Sequence, residues 1–374
     1  MPVYLDCNAT TQVDQEVADL VFKLMREEYG NAGSRTHAFG ASAKKYVEQA
    51  RTQVAAVTDD DKSTVIFTSG ATESNNIALL GLENYAKKQN KKHIITTEIE
   101  HKSVLEPIQE LQKRGFEVTY LPANADGLID AVTLKNALRD DTFLVSIMHI
   151  NNETGSIQPI GEFCSALEGH DAYFHVDAAQ SFGKYSEVLK NERIDLISAS
   201  GHKLYAPKGI GALIQRKRGF IKVPLKPILF GGGQERSLRP GTLAVPLIAG
   251  FGLACELAVK NSPNRLENAK NLKVEVLDFL AKYDAEINGQ NTSDYVVNFS
   301  IPEVNSEAAI VMFKDVVAVS NGSACTSNSY TPSHVLVSMG LNENRINGAI
   351  RMSWSHQTEA IPFIQLSEKI EQLL

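Results

Sequence analysis

The first half of the sequence repeats one pattern, in which a short apolar run is followed by polar residues and then by a helical stretch. The runs have the length of buried strands, and the stretches between them have helical periodicity, as in residues 14–29 and 40–57. This alternation is typical of an α/β domain whose mainly parallel sheet is flanked by helices. The predicted strands are residues 65–68, 94–97, 117–121, 143–150, 173–176 and 194–199.

The second half of the chain is organised differently. Residues 221–241 are rich in Gly and Pro, which predicts a long loop. Two helices are expected after it, at residues 243–260 and 264–283. The last hundred residues mix both element types, as in a smaller α+β domain. The predicted elements there are strands 295–300 and 316–319 and helices 333–339 and 357–373.

A chain of 374 residues is long enough for two domains. We predict a large domain of residues 14–258. The small domain would combine residues 1–13 with residues 259–374 and would carry a polar loop at residues 320–331.

Composition excludes several classes of function. A formal net charge of −7 argues against a nucleic-acid-binding surface, so we expect no direct nucleic-acid binding. No apolar run reaches the length of a membrane span, and the N-terminus lacks the pattern of a signal peptide. The cysteines form no CxxC pair, so we expect free thiols, a reducing cytoplasm and no metal site. They are Cys7, Cys164, Cys255 and Cys325.

Lys203 follows a predicted buried strand directly, in the segment Ser198-Ala199-Ser200-Gly201-His202-Lys203. Burying a lysine is costly unless its charge is paired or removed. A Schiff base with pyridoxal phosphate removes that charge. The alternative is an ordinary surface lysine, so Lys203 becomes significant only if other strand ends supply contacts for this cofactor.

Two other strand ends carry suitable residues. Ser69-Gly70-Ala71-Thr72 lies between a strand and a helix, where free amides and the helix dipole favour a phosphate. The alternative is a plain turn with Thr72 as the N-cap. Asp177 ends the next-to-last strand and would keep a pyridine nitrogen protonated, while Gln180 would reach the phenolic oxygen. The alternative for Asp177 is a helix cap.

Two more clusters follow strands. His101 is suited either to stacking on a planar cofactor or to moving protons, although a lone histidine is more often structural. The segment 149–155 brings amide and carboxylate side chains, including Asn152, to the same edge of the sheet. Together the clusters favour one ligand site at the carboxyl ends of the strands.

Cys325 lies in a run of small polar residues, Ser320-Asn321-Gly322-Ser323-Ala324-Cys325-Thr326-Ser327. This composition predicts an exposed, mobile loop. A thiol on such a loop is a candidate nucleophile, because a thiolate must reach its target. The alternative is an incidental surface thiol.

With these motifs assembled, the chain resembles the group I (NifS/IscS-like) cysteine desulfurases, pyridoxal-phosphate enzymes of fold-type I. The resemblance runs nearly end to end and includes a Cys loop of the long form. It implies a large domain with a mainly parallel, seven-stranded sheet and a smaller α+β domain. The matching segments are Tyr4-Leu5-Asp6, Thr68–Ser74, Glu100-His101, Met148–Glu153, His175–Gln180, Ser200–Lys203, Gly231–Arg236, Arg239–Thr242 and Gly322–Ser327.

The resemblance implies roles for the cofactor contacts. Lys203 would bind pyridoxal 5'-phosphate as a Schiff base, and His101 would stack on its ring. Asp177 would pair with the pyridinium nitrogen, and Gln180 with the phenolic oxygen. The phosphate ligands would be Ala71, Thr72, Ser200 and His202, joined by Thr242 from the second subunit of a homodimer.

It also implies the reaction. Asn152, which also belongs to the cofactor site, and Arg351 would hold the carboxylate of L-cysteine, since Arg suits bidentate binding. The catalytic residues would be Lys203, His101 and Cys325, with Cys325 carrying the sulfur as a persulfide while alanine leaves. An acceptor protein would then take the sulfur toward iron–sulfur cluster assembly, tRNA thiolation or DNA phosphorothioation.

Three alternatives to this function stay open. A selenocysteine lyase or another enzyme of the aminotransferase fold would use the same cofactor. A non-catalytic sulfur-transfer scaffold would use none, and the presence of Lys203, Asp177 and Cys325 argues against it.

Overall fold

The structure, a computed structural model, describes residues 1–322 and 332–374. Its strands are β1 (Val3–Tyr4), β2 (Val65–Thr68), β3 (His93–Thr97), β4 (Glu117–Leu121), β5 (Thr142–Met148), β6 (Tyr173–Asp177), β7 (Leu196–Ser200), β8 (Gly211–Gln215), β9 (Lys217–Arg218), β10 (Ile221–Lys222), β11 (Glu286–Ile287), β12 (Val296–Ser300), β13 (Val317–Ala318) and β14 (Ala349–Ser353). Its α-helices are α1 (Gln15–Arg26), α2 (Ala38–Ala56), α3 (Ala71–Leu80), α4 (Glu83–Lys88), α5 (Lys102–Lys113), α6 (Ala131–Ala137), α7 (Ile160–Ala166), α8 (Val245–Leu280), α9 (Ser306–Phe313), α10 (His334–Ser338), α11 (Glu343–Gly348) and α12 (Phe363–Glu371).

A seven-stranded sheet forms the centre of the protein, in the order β2-β8-β7-β6-β5-β3-β4. Six of its strands run in one direction, and β8 runs against both of its neighbours. The predicted α/β class and mainly parallel sheet are therefore confirmed. The strands are buried because helices such as α3 and α5 cover one face and α2 and α8 the other.

The sequence pattern does not predict strand β8, because its apolar core of Ala212, Leu213 and Ile214 is short and follows a glycine-rich turn. Gly211, its first residue, lies between the ends of β2 and β7. A Cβ at this position would stand 2.5 Å from the carbonyl oxygen of Ala199 and 2.6 Å from Cα of Gly70. Only glycine allows the three backbones to approach so closely.

The two helices predicted at 243–260 and 264–283 are one helix, α8, with Pro263 inside it. Proline removes one backbone hydrogen bond, but burial on both sides of it keeps the helix continuous. The first half packs into the main core, where Gly252 lies directly on Ala50 of α2. The second half packs into a separate core. The predicted division into residues 14–258 and residues 1–13 with 259–374 stays a proposal.

The second core is built around a three-stranded antiparallel sheet, β11-β12-β14, and the parallel pair β1-β13. Its centre is Trp354, which is fully buried and donates its indole N–H to the carbonyl of Ala269 at 3.2 Å. Leu5 joins this core, so the N-terminus packs with the last third of the chain. No helix within the described residues combines the length and apolar character needed to cross a membrane.

Glu235 attaches the Gly-rich loop to the central sheet. Its carboxylate accepts hydrogen bonds from Arg51 at 2.7 and 2.9 Å and from the amide of Phe67 at 2.7 Å. Both charged side chains are buried. Glu235, Arg236 and Ser237 all have positive φ, a conformation that L residues rarely adopt, so this carboxylate stabilises a strained turn.

We expect Glu235→Ala to lower the free energy of unfolding by about 3–5 kcal/mol, because it removes the buried carboxylate that pairs with the buried charge of Arg51 at 2.7 Å. Urea denaturation at pH 7 measures the change. The control is Glu187→Ala, which removes an exposed carboxylate paired with Lys190 and should leave the midpoint unchanged. Equal midpoints for both variants would contradict this account of the loop.

Candidate active site at the carboxyl edge of the sheet

The polar clusters predicted from the sequence meet at one edge of the central sheet. Strands β2, β3, β5, β6 and β7 share one direction, so their carboxyl ends lie side by side. The chain continues from these ends into α3, α5 and the turns that begin at His149, Ala178 and Gly201. This is the edge at which parallel sheets of α/β proteins bind ligands.

The loop after β2 forms an open cradle. Gly70 has φ 153° and ψ −179°, a conformation restricted to glycine, and α3 begins at the next residue. No side chain caps this helix, so Thr72 is not the N-cap that a plain turn would need. A Cβ on Gly70 would meet Oγ of Ser200 at 3.5 Å. Ala71, Thr72 and Ser200 therefore border one small space beside free helix amides.

His202 lies partly buried beside this cradle. Its Nδ1 is 3.2 Å from the hydroxyl of Thr10, and its main-chain oxygen accepts from both the amide and the hydroxyl of Thr11. The pKa of His202 is lowered to about 4, mainly by burial and in smaller part by the nearby positive charge of Lys203. The imidazole is therefore neutral at pH 7 and interacts as a polar group.

Asp177 is the last residue of β6, Gln180 follows in the next turn, and both side chains are buried. Asp177 accepts from the amide of Ala179 at 2.9 Å and from the side-chain nitrogen of Asn75 at 2.8 Å. Gln180 donates to the main-chain oxygen of Asn8 at 3.0 Å. A buried, hydrogen-bonded carboxylate at this edge can hold a cationic ring nitrogen.

His101 is the N-cap of α5, and its ring remains accessible from the cleft. Nδ1 accepts from the amide of Ser103 at 3.1 Å and lies 2.8 Å from the hydroxyl of Ser103. Partial burial lowers the pKa of the ring. The negative charge of Asp177 acts against this shift, and the positive charge of Lys203 adds to it. A neutral, flat ring is thus presented to the cleft.

Lys203 ends the short turn Gly201–Lys203 after β7. Its Nζ donates to the main-chain oxygen of Asn8 and, at 2.8 Å, to that of Ala9. Burial lowers the pKa of this amine to about 7, and the positive charges of Arg351 and Lys184 act in the same direction. A lysine in this state supplies a neutral, nucleophilic amine near pH 7.

Arg351 reaches the same cleft from β14 and is buried. Its guanidinium donates to Asp6 at 2.6 Å and to the main-chain oxygen of Asn152 at 2.9 Å. The remaining nitrogen, Nε, has no hydrogen-bond partner among the described residues. The structure thus places Arg351 and Asn152 together, with unused capacity for an anion.

The segment Asp6–Thr11 contributes to the site although no residue pattern predicts a role for it. Asn8 is buried, and its side chain donates to the main-chain oxygen of Asn152 at 3.1 Å. Asp6 pairs with Arg351, as described above. Asn8 also accepts hydrogen bonds from Lys203 and Gln180 through its main-chain oxygen, a contact that any residue type could make and that the sequence therefore does not reveal.

Two of the predicted site residues are not part of this cluster in the structure. Thr242 is exposed in the loop before α8. Cys325 lies outside the described residues, but both ends of the segment that carries it adjoin Glu153. Ser333 donates to the carboxylate of Glu153 at 2.5 Å, and a Cβ on Gly322 would stand 3.4 Å from Cβ of Glu153. Glu153 in turn belongs to the turn after β5, beside Asn152.

The chain is similar in sequence to a known protein family. A family model described as "Aminotransferase class-V" matches residues 3–360. The chain belongs to the aminotransferase class-V family. Within this family it groups with proteins named as cysteine desulfurases. The mitochondrial cysteine desulfurase of Arabidopsis thaliana is 46% identical over 354 residues, which are 94% of this chain and 77% of the relative.

Solved structures agree with this family assignment. A NifS-like protein superposes with a TM-score of 0.90 at 34% identity, covering 100% of this chain and 98% of its own. DndA from Streptomyces lividans superposes with a TM-score of 0.83 at 46% identity, covering 94% of this chain and 99% of its own. The predicted resemblance to NifS/IscS-like cysteine desulfurases and the predicted fold are therefore confirmed.

In the protein prepared without cofactor, we expect the amine of Lys203 to titrate with a midpoint near pH 7, because burial and neighbouring cations disfavour its charged form. The neutral fraction should therefore rise as the pH increases through 7. Carbon-13 NMR of labelled lysine side chains measures this, and Lys203→Met identifies the signal and separates it from that of Lys184. A midpoint near pH 10 would contradict the described environment.

Proposed function

We propose that this protein is a pyridoxal-phosphate-dependent cysteine desulfurase that converts L-cysteine to L-alanine and passes the sulfur to Cys325. The observation that carries the proposal is that the amine of Lys203, whose pKa is lowered to about 7, lies at the same sheet edge as the buried carboxylate of Asp177. In a chain of the class-V aminotransferase family, this lysine can bind the cofactor as a Schiff base and this carboxylate can pair with its ring nitrogen.

The residues present fit pyridoxal phosphate. The uncapped first turn of α3, with Ala71 and Thr72, and the neighbouring Ser200 and His202 would hold the phosphate, because helix amides and polar side chains converge there. Asp177 would face the ring nitrogen, Gln180 the phenolic oxygen and His101 one face of the ring, with Asn152 near its edge. When bound, the cofactor withdraws electrons from the α-carbon of the substrate.

Arg351 would hold the substrate carboxylate. Its Nε is buried without a partner in the described part of the chain, and its Nη1 already contacts Asn152. A carboxylate bound here would lie between Arg351 and Lys203 and would fix the orientation of the amino acid. Asp6 would keep the guanidinium in place through the 2.6 Å bond to Nη2.

Lys203 would then move the protons of the reaction, holding each on Nζ between removal and return. The thiolate of Cys325 would attack the sulfur of the substrate. A sulfur–sulfur bond forms, the carbon–sulfur bond breaks with its electron pair going to carbon, and that carbon takes up one proton. The balance is one cysteine and one protein thiol converted to one alanine and one protein persulfide.

We expect Lys203→Ala to lower alanine formation from L-cysteine by about 10²–10⁴-fold or more, because it removes the amine that carries the protons of the reaction. The protein reconstituted with pyridoxal phosphate should also lose the visible absorption of the lysine-bound cofactor. Lys113→Ala, at an exposed lysine, is the matched control and should behave as the unmodified protein. Full activity of Lys203→Ala would disprove the proposal.

We expect Arg351→Lys to raise KM for L-cysteine roughly 10–100-fold, because a lysine cannot reproduce the forked contact to a carboxylate. Steady-state kinetics at saturating cofactor, with circular dichroism to confirm folding, measures this. A variant that keeps KM and loses only kcat would place the substrate carboxylate elsewhere.

The proposal includes a homodimer, in which Thr242 of each subunit would complete the phosphate site of the other. Its support is the exposure of Thr242 and of apolar and aromatic side chains on α1, on α2 and in the loop between them. Phe22 and Tyr29 are 60% and 70% exposed, and Tyr29 stacks on Phe39 with 5.6 Å between ring centroids. Exposed apolar groups of this kind are typical of an interface.

The proposal also includes a sulfur acceptor and a place of action. The described residues that flank the Cys325 segment, Gly322 and Ser333, adjoin Glu153, the residue after Asn152, which supports formation of the persulfide near the cleft. The acceptor would serve iron–sulfur cluster assembly, tRNA thiolation or DNA phosphorothioation, with no direct contact of this chain to nucleic acid. We place the enzyme in the cytoplasm.

A further inference from the structure

Asn75 contacts two elements of the candidate cofactor site, the end of β6 and the start of α5. It lies on α3, is fully buried, and its side-chain nitrogen donates two hydrogen bonds. One goes to Oδ2 of Asp177 at 2.8 Å and the other to the hydroxyl of Ser103 at 2.9 Å. A single amide group thus connects the end of β6 to the start of α5.

The direction of these hydrogen bonds follows from the charge of Asp177. An ionised carboxylate only accepts, so the amide nitrogen of Asn75 must face it, and its oxygen must point away. That oxygen has no hydrogen-bond partner among the residues described, which agrees with this orientation. Both amide hydrogens of Asn75 are then in use, and the hydroxyl oxygen of Ser103 receives one of them.

The hydroxyl of Ser103 must therefore send its own hydrogen elsewhere. The acceptor within reach is Nδ1 of His101, at 2.8 Å. The main-chain amide of Ser103 also donates to this nitrogen, at 3.1 Å, because His101 caps α5. Two donors thus converge on Nδ1, which leaves no room there for a proton of its own.

We propose that Asn75 and Ser103 are positioning residues that hold His101 as the neutral tautomer with its only proton on Nε2. His101 would then meet the cofactor ring as a flat surface and a hydrogen-bond donor, and it would take no proton from the substrate. This narrows the two uses of His101 predicted from the sequence to one and leaves proton transfer to Lys203. It rests on the proposed function for the identity of the ring.

The charged and titratable groups around His101 agree with a neutral ring. Asp177 from β6 favours the charged form, while Lys203, His334 of α10 and Lys102 of α5 oppose it. Burial adds to the opposition and is the largest contribution, so the pKa is below its ordinary value. Protonation would also require Nδ1 to lose both of its donors.

Nitrogen-15 NMR of histidine-labelled protein without cofactor tests the proposal. His101, assigned by the loss of its signal in His101→Gln, should show one protonated nitrogen at Nε2 and one unprotonated nitrogen at Nδ1 throughout pH 6.5–8. A ring protonated on Nδ1, or on both nitrogens at pH 7, would overturn the proposal. The unmodified protein decides this result, so it does not depend on whether variants fold.

Two variants then test the positioning residues. Ser103→Ala removes one donor to Nδ1, and Asn75→Ala removes the group that orients the hydroxyl of Ser103. Each should raise the pKa of His101 by about half a unit to one unit, the effect of one hydrogen bond. Ser338→Ala, at a hydroxyl bound to Glu98 outside this chain of contacts, should leave that pKa unchanged. No change in either variant would show that the relay does not control His101.

The same NMR measurements distinguish a failure of the positioning role from a failure of the proposed desulfurase reaction. They use protein without cofactor, so a failure of the proposed desulfurase reaction would leave the tautomer result intact. Conversely, an active desulfurase with His101 protonated on Nδ1 would contradict only the positioning role.

Discussion

The main-chain oxygen of Asn8 accepts hydrogen bonds from Lys203 and Gln180, and the rest of the cleft depends on this contact. It places a segment from the N-terminus across the ends of β6 and β7. In the same segment, Asp6 accepts a hydrogen bond from Arg351, and the side-chain amide of Asn8 donates to the main-chain oxygen of Asn152. Residues distant in sequence are thus held together through a few polar bonds in a buried place, where each is costly to lose.

The cleft concentrates positive charge, and this determines its chemistry. Arg351 and Lys184 lie close enough to Lys203 to lower the pKa of its amine in addition to the effect of burial. Asp6 and Asp177 offset part of that repulsion. A site of this kind favours a neutral lysine and bound anions, such as a phosphate and a carboxylate. The stability lost in burying an uncharged amine is the usual cost of a functional site.

The sequence predicted much of this arrangement. Strands such as Val65–Thr68 and Tyr173–Asp177 are recognisable because apolar runs bounded by turn residues are a local property. The candidate residues at their ends followed from the parallel direction of the strands. Strand Gly211–Gln215 and the continuity of α8 through Pro263 were not predictable, because close backbone packing and tertiary burial override local signals. The contribution of Asn8 was missed because it acts through its backbone oxygen, and the relay through Asn75 and Ser103 because it depends on distant partners.

The central claim is that the sulfur of L-cysteine moves to Cys325 as alanine forms. A single-turnover reaction of the cofactor-loaded protein with sulfur-labelled L-cysteine, followed by peptide mapping under non-reducing conditions, tests it most directly. We predict label on the peptide that contains Cys325, in equal amount to the alanine released and lost on treatment with thiol. Alanine release with the label on none of the protein's cysteines, or on buried Cys7, Cys164 or Cys255, would contradict the account.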